Sequence, residues 1–232
     1  MRNLLVVATE NVHKLQELRA MLAGGAWDVR GSHELGVSVP KVVEDGLTFE
    51  ANAIKKAEAI AAATFALTLA DDSGLEVDAL GGAPGVRSAR YAHERATDAE
   101  NNAALLEALR PVVLEERLEG PHSGAGPLVL TARFRCVLCL VDPYAQGQND
   151  RRVVVEGTCE GQITTSPRGA QGFGYDPLFV VDTADGRDVT FAELSDADKA
   201  TLSHRGKAMR ALQAVLQDKL RARQRQLATL PR

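Results

Sequence analysis

The chain has 232 residues, 45% of them apolar, 25% charged and 4% aromatic, with 27 Lys and Arg set against 31 Asp and Glu for a formal charge of −4. This composition excludes disordered, collagen-like and disulfide-scaffold classes, and it provides no polycationic field to draw the chain to nucleic acid or anionic lipid. An anionic substrate must therefore be held by local cations, in one large domain or two intimate lobes with room for a substantial core.

The opening Met1 to Thr9 has an apolar stretch too short for a signal peptide. The apolar run Ala59 to Ala70 is shorter than the ~18 residues a membrane span needs and ends in Asp71-Asp72. Together these predict a cytoplasmic protein with no membrane contact. Cys136, Cys139 and Cys159 are an odd number of thiols with no disulfide framework, as suits a reducing compartment. Cys136 and Cys139 lie three apart on an expected strand and so point to opposite faces, which predicts packed thiols rather than a metal chelate.

Taken in order, residues 3–8 read as a strand buried on both faces. The turn Thr9-Glu10-Asn11 leads into a helix with Leu15, Leu18 and Leu22 on one side, stopped by Gly24-Gly25. A second helix is expected from about Thr48, its N-cap, to Thr64. A strand near residues 66–70 then delivers Asp71-Asp72-Ser73-Gly74 at its end. Thr97 or Asp98 caps a helix to about Leu109, ended by Pro111, and residues 115–127 form a surface connection. Strands at 133–141 and 152–161 pair as an antiparallel hairpin. A last helix begins near Ser203 with Met209, Leu212 and Leu216 inward. The tail beyond it, residues 221–232, is basic and reads as a solvated, fraying helix end or as a nucleic-acid arm; the net charge favours the former.

Four clusters can carry chemistry. Thr9-Glu10-Asn11-Val12-His13-Lys14 joins a buried strand to a helix start, where backbone N–H groups, small polar side chains and a lysine make either a phosphate cradle or an ordinary helix cap. Glu44, Asp45 and the doubled Asp71-Asp72 come from separate elements without a His or Cys partner, a set that suits Mg²⁺ completed by water and phosphate, or a capped surface turn. Because neighbouring strand residues face opposite ways, the two aspartates must have different jobs, one toward a cleft and one holding the loop. Gly169 to Pro177 is glycine-rich and contains Phe173 and Tyr175, which offer a base-stacking face or belong to the core. Lys199 and Ser203-His204-Arg205-Gly206 concentrate positive charge at a helix start, which the helix dipole does not favour without an anion nearby. A nucleoside polyphosphate with Mg²⁺ satisfies all four.

These motifs resemble the Ham1/inosine triphosphatase family of nucleoside-triphosphate pyrophosphatases. The resemblance runs through Thr9-x-Asn11-x-x-Lys14, Glu44-x-Gly46-x-Thr48-Phe49, Asn52-Ala53 with Lys56-Ala57, Ala70 to Leu75, Gly81 to Gly85 with Ser88 to Tyr91, Gly172 to Pro177 and Ser203 to Gly206. It implies an α/β fold: an elongated single domain of two lobes, residues 1–220, with a central mixed twisted sheet flanked by helices and an active-site cleft between the lobes. It further implies a homodimer, Mg²⁺ dependence, and hydrolysis of aberrant purine nucleoside triphosphates such as ITP, dITP and XTP to the monophosphate and pyrophosphate. Alternatives are a nucleotide phosphatase releasing orthophosphate and a non-catalytic nucleotide sensor. Carried over residue by residue, Thr9, Glu10, Asn11, Val12, His13 and Lys14 would hold the triphosphate, with Lys56 a further phosphate contact. Glu44 and Asp72 would hold the metal, and Asp72 would also accept the proton. Ser73 would touch substrate, Phe173, Gly174, Tyr175 and Asp176 would cover the nucleoside, and Lys199, His204 and Arg205 would complete the pocket. Glu10 departs from the small neutral residue expected there, so its carboxylate should turn away from the phosphates.

Overall fold

A strand with no polar residue after its first position has to be sheathed on both faces, and β1 (Asn3–Ala8) is: Leu5, Val6 and Val7 are fully buried. The structure is a computed structural model that describes residues 3–119, 129–145 and 147–228. β1 pairs in parallel with β2 (Trp27–Gly31), register Asn3 to Trp27, and with β3 (Thr68–Val77), register Ala8 to Ala70. Parallel neighbours need a crossover, and α1 (Val12–Met21) supplies the one between β1 and β2. The six-stranded sheet has the order β2-β1-β3-β4-β5-β6, with β4 (Thr131–Val141), β5 (Arg152–Ile163) and β6 (Phe179–Val181). Asp142 N donates to Arg151 O at 2.8 Å, and Ile163 N donates to Leu130 O at 2.8 Å. Partner numbers that rise on one strand and fall on the other make β4 and β5 antiparallel, as the hairpin reading expects. β5 and β6 are antiparallel as well, so the sheet is mixed.

α2 (Phe49–Thr64) starts where its sequence says, with Thr48 Oγ1 accepting from Ala51 N at 3.1 Å. Its buried stripe is Phe49, Asn52, Ala53, Lys56, Ala57, Ile60 and Ala61, which follows helical spacing and includes one charged residue, Lys56. α6 (His204–Ala228) buries Met209, Leu212 and Leu216 as expected, and Ala208 with them. It includes residues 221–228 of the basic tail as helix. Residues 229–232 lie outside the described residues. Lys219 Nζ reaches Asp142 at 3.5 Å and the Asp150 carbonyl, so this basic side chain is tied to its own fold.

The structure corrects the sequence reading in three places. β3 does not end at Ala70 but runs on through Asp71-Asp72-Ser73-Gly74, because Leu75 and Val77 are fully buried and Leu75 N donates to Ser88 Oγ at 2.9 Å. A Cβ on Gly74 would lie 2.3 Å from that same Oγ, so the strand can pass Ser88 only as glycine. α3 (Asp98–Glu119) runs through Pro111, since Val112 and Val113 pack beyond it on the same core as Leu105 and Leu109, and packing overrides the lost hydrogen bond. The expected surface connection begins as the last turn of α3, and its remainder falls on 120–128, outside the described residues. Two short helices, α4 (Gln148–Arg151) and α5 (Asp196–Leu202), and the strands β2 and β6 were not foreseen.

The chain forms two compact units. The first takes in the chain up to Asp72, Cys136–Gly157 and everything from Arg205 on; the second is Ser73–Arg135 and Thr158–His204. The first has a core of Leu5, Val7, Leu18, Trp27, Leu69, Leu138 and Leu212 with their neighbours. The second is built around Phe134, Phe179 and Phe191, with Phe134 and Phe179 edge-on at 4.8 Å and Phe134 and Phe191 stacked at 5.7 Å. All three cysteines are free and buried, as expected of packed thiols.

Thr48→Ala removes the cap of α2 and should lower stability by about 1 kcal/mol. Urea unfolding followed by emission of Trp27, the chain's one tryptophan, should show a lower midpoint at unchanged slope; an unchanged midpoint would leave the cap without energetic weight.

Candidate active site

β1 stops at Ala8, in register with Ala70, while β3 continues, so Asp71 and Asp72 stand just beyond the carboxyl end of β1, beside the turn that follows it. In open parallel sheets this edge is where ligands bind. The turn is internally satisfied: Asn11 N donates to Thr9 Oγ1 at 3.1 Å, and Lys14 N donates to Asn11 Oδ1 at 3.1 Å, which makes Asn11 the N-cap of α1. Glu10, Val12 and His13 are exposed.

Lys14 extends from the first turn of α1 to Asp71, Nζ to Oδ1 2.6 Å. Asp71 is fully buried and also accepts from Arg205 Nε at 2.8 Å and from the Cys136 thiol at 3.1 Å. Burial alone would raise the Asp71 carboxyl; the charges and hydrogen bonds of Arg205 and Lys14 outweigh it and hold the group well below the usual carboxylate range. Burial, followed by the charge of Asp71, pushes the Cys136 thiol well up, so it stays a proton donor. Arg205 is 1% exposed and pairs with Glu17 as well as Asp71. The guanidinium expected to complete a substrate pocket is thus committed to two carboxylates of its own fold. Nor does Asp71 merely hold a loop, since it ties α1, α6 and β4 to β3.

Asp72 projects to the other side of β3, as alternation requires. Lys56 Nζ lies 3.1 Å from Asp72 Oδ1 and 2.9 Å from Glu44 Oε2, bridging the two carboxylates. Burial is the main reason that Asp72 is pushed up to about 6, with the Glu44 carboxylate adding to it against Lys56 and Lys14. Burial acts in the same sense on Glu44, but there the charge of Lys56 prevails and the group lies below its ordinary value. Burial would also strip Lys56 of its proton; Asp72 and Glu44 keep it charged. The Glu44 loop is fixed to α2 by a residue that sequence reasoning did not place in the site. Asn52, fully buried, accepts from Gly46 N at 2.8 Å, and a Cβ on Gly46 would come within 2.6 Å of that oxygen. Its signal was a polar residue on the buried stripe of α2.

Among the described residues no group of three or more His, Cys, Asp and Glu side chains gathers. Glu44 and Asp72 offer two carboxylates, and Asp72 Oδ2 is buried without a hydrogen-bond partner. A Mg²⁺ ion needs one or two carboxylates and fills its shell with water and phosphate, so the pair fits it.

The second unit carries the glycine-rich loop. Asp176 is buried, accepts from Phe173 N at 2.8 Å and pairs with Lys199 Nζ at 2.7 Å; that ammonium also stands 4.8 Å above the Phe173 ring. Gly172 has φ +78°, and a Cβ there would fall 2.0 Å from Asp176 Oδ2, so the glycine admits this pair rather than a ligand. Gly174 is pinned from both sides, its N–H donating to Asp98 at 2.7 Å and its carbonyl accepting from Asn102 at 3.0 Å. Tyr175 contradicts the stacking role: it is 3% exposed, packs in the core and donates its hydroxyl to Ser88 O at 2.9 Å. Phe173, by contrast, is half-buried. His204 is buried against Phe134, rings parallel at 4.8 Å. Ser73 is half-buried.

A lysine-loaded helix start and a lysine-bridged carboxylate pair at the carboxyl edge of a parallel strand define an α/β protein equipped to handle phosphate esters. The chain belongs to the Ham1 family, whose model matches residues 5–215. It is 44% identical to a protein of Bacillus licheniformis named dITP/XTP pyrophosphatase over 91% of this chain and 97% of that one. It is 41% identical to the protein of the same name from Bacillus subtilis, over 91% and 96%. The structure of a HAM1 protein from Coxiella burnetii superposes with a TM-score of 0.74 at 37% identity, covering 93% of this chain and 99% of that one.

Asp71→Asn leaves Arg205 and Lys14 facing a neutral amide in a fully buried site and should destabilise the fold by about 3–5 kcal/mol. Cys136→Ala removes a weak donor and should cost under half of that. Similar losses from the two variants in urea unfolding would show that Asp71 does not organise the cluster.

Proposed function

We propose that this chain is a nucleoside-triphosphate pyrophosphohydrolase that removes aberrant purine nucleotides, ITP, dITP and XTP, from the nucleotide pool as monophosphate and pyrophosphate. The observation that carries the reading is the Glu44–Lys56–Asp72 cluster beside Lys14, in a chain so close to proteins named dITP/XTP pyrophosphatases. The triphosphate is held at Thr9, Asn11 and Lys14, with Lys56 as a second cation. Glu44 and Asp72 hold Mg²⁺, which when bound neutralises phosphate oxygens. A water attacks the α-phosphorus, the bond to the bridging oxygen breaks, and pyrophosphate leaves with the electron pair. Asp72 orients that water and takes its proton. Such chemistry rests on positioning and charge more than on covalent help.

The base lies against Phe173, with Lys199 and Asp176 behind the ring. Hypoxanthine and xanthine share a 6-keto oxygen that accepts a hydrogen bond, where adenine presents a donor. Since Arg205 is spent on Asp71 and Glu17, the donor falls to a backbone N–H or to His204. The enzyme works as a homodimer in the cytoplasm, a reading supported by the family resemblance and by three buried free thiols. Among the described residues no helix is long and apolar enough to cross a membrane.

Incubation with Mg²⁺ and ITP, XTP, GTP or ATP should yield pyrophosphate, with ITP and XTP preferred; orthophosphate from all four would establish the phosphatase alternative instead. Asp72→Asn should lower kcat by about a hundredfold or more with little change in KM, and an active variant would remove Asp72 from the chemistry.

A further inference from the structure

Lys56 occupies a position that a cation is expected to share. Its ammonium sits between Glu44 and Asp72, 2.9 and 3.1 Å from one oxygen of each, and the residue is 8% exposed. Lys56 belongs to the buried stripe of α2, with Ala53, Ala57 and Ile60, so the charge is presented by a packed element rather than by a surface one. Without it the buried Asp72 carboxylate and the half-buried Glu44 carboxylate would be left as neighbouring like charges, a disfavoured arrangement. The oxygen that Lys56 leaves alone, Asp72 Oδ2, is buried and has no hydrogen-bond partner. A dication held by these carboxylates would share their oxygens with that ammonium, and like charges brought together repel strongly where solvent is scarce.

We propose that Lys56 is a built-in counter-ion that holds the divalent cation's place between Glu44 and Asp72, and that it transfers to the substrate's phosphates when the cation arrives. The inference rests on the reading of Glu44 and Asp72 as the metal carboxylates. It deepens that reading by linking two binding events. The cation releases an ammonium, and a polyphosphate supplies that ammonium with a new partner while freeing the carboxylates. Each ligand then binds more tightly in the presence of the other, and free cations alone occupy the site poorly. The flexible four-carbon stem allows the movement, because the ammonium can swing while the helix backbone stays in place.

The test measures Mn²⁺ binding without nucleotide, by the electron paramagnetic resonance signal of the free ion at pH 8, in the wild-type chain and in Lys56→Met. The variant should bind Mn²⁺ about tenfold more tightly or better, and Mn²⁺ should restore thermal stability that the variant loses. Equal or weaker affinity in Lys56→Met overturns the proposal. Asp72→Asn separates the two levels: if it binds Mn²⁺ as the wild type does, the carboxylates are not the metal's ligands and the proposal falls with that reading. If binding needs Asp72 but ignores Lys56, the metal reading stands and the placeholder alone is wrong. Should Lys56→Met not fold, reductive methylation of the wild-type chain, read at Lys56 by mass spectrometry, decides the matter. Mg²⁺ alone should speed labelling of Lys56 several-fold, and Mg²⁺ with inorganic tripolyphosphate should slow it again. A rate that Mg²⁺ leaves unchanged or lowers overturns the proposal.

Discussion

A carboxylate with no exposed surface is the constraint around which the first unit is arranged. Asp71 sits inside β3, and an isolated ion there would be far too costly to keep charged. It stays charged because Lys14 from α1, Arg205 from α6 and the Cys136 thiol from β4 all converge on its two oxygens. Buried ion pairs of this kind add little net stability compared with an apolar core, yet removing one partner is severe. What they supply is position. Lys14 is held at the end of β1 by one oxygen of the carboxylate whose other oxygen holds the first turn of α6, and Glu17, one turn further along α1, closes the arrangement on Arg205.

The strand then does something that no helix could do with adjacent residues. Asp71 and Asp72 are neighbours in sequence, but alternation sends them to opposite sides of β3 and into opposite electrostatic surroundings. One is held well below the usual carboxylate range by two cations; the other, with one ammonium shared with Glu44 and a bare buried oxygen, is pushed up to about 6. Pairs of acids whose environments drive them apart mark a division of labour between structure and chemistry. The doubled aspartate is therefore two separate devices.

Much of this was legible in the residues. β1 follows from an unbroken apolar run, α2 from Thr48 and its stripe, and the separation of Asp71 from Asp72 from the two-residue period of a strand. What escaped did so for reasons of tertiary origin. Pro111 reads as a stop because propensity is local, whereas α3 persists on the packing of Val112 and Val113. Tyr175 reads as a stacking face because a glycine loop looks exposed, but the hydroxyl has a carbonyl waiting inside at Ser88. Arg205 reads as a ligand for an anion, and it is one, except that the anions are Asp71 and Glu17. Sequence shows that a cation needs a partner and leaves open whether the protein or the substrate provides it.

The scarcity of aromatic residues also takes on a definite form. Four of the six phenylalanines, Phe134, Phe173, Phe179 and Phe191, belong to the second unit, and three of them make its core. Phe173 differs in being half-buried, with a paired ammonium behind one face of its ring. The Asp176–Lys199 pair thus sets a cation against this ring, which among the described residues none of the three core phenylalanines has. The first unit by contrast has its cations and acids at the end of β1. The chain passes from one unit to the other between Asp72 and Ser73 and again between His204 and Arg205, within two of the motifs that carry the family resemblance. Each of those motifs therefore divides at a single peptide bond, with Asp72 and Arg205 packed in the first unit and Ser73 and His204 in the second.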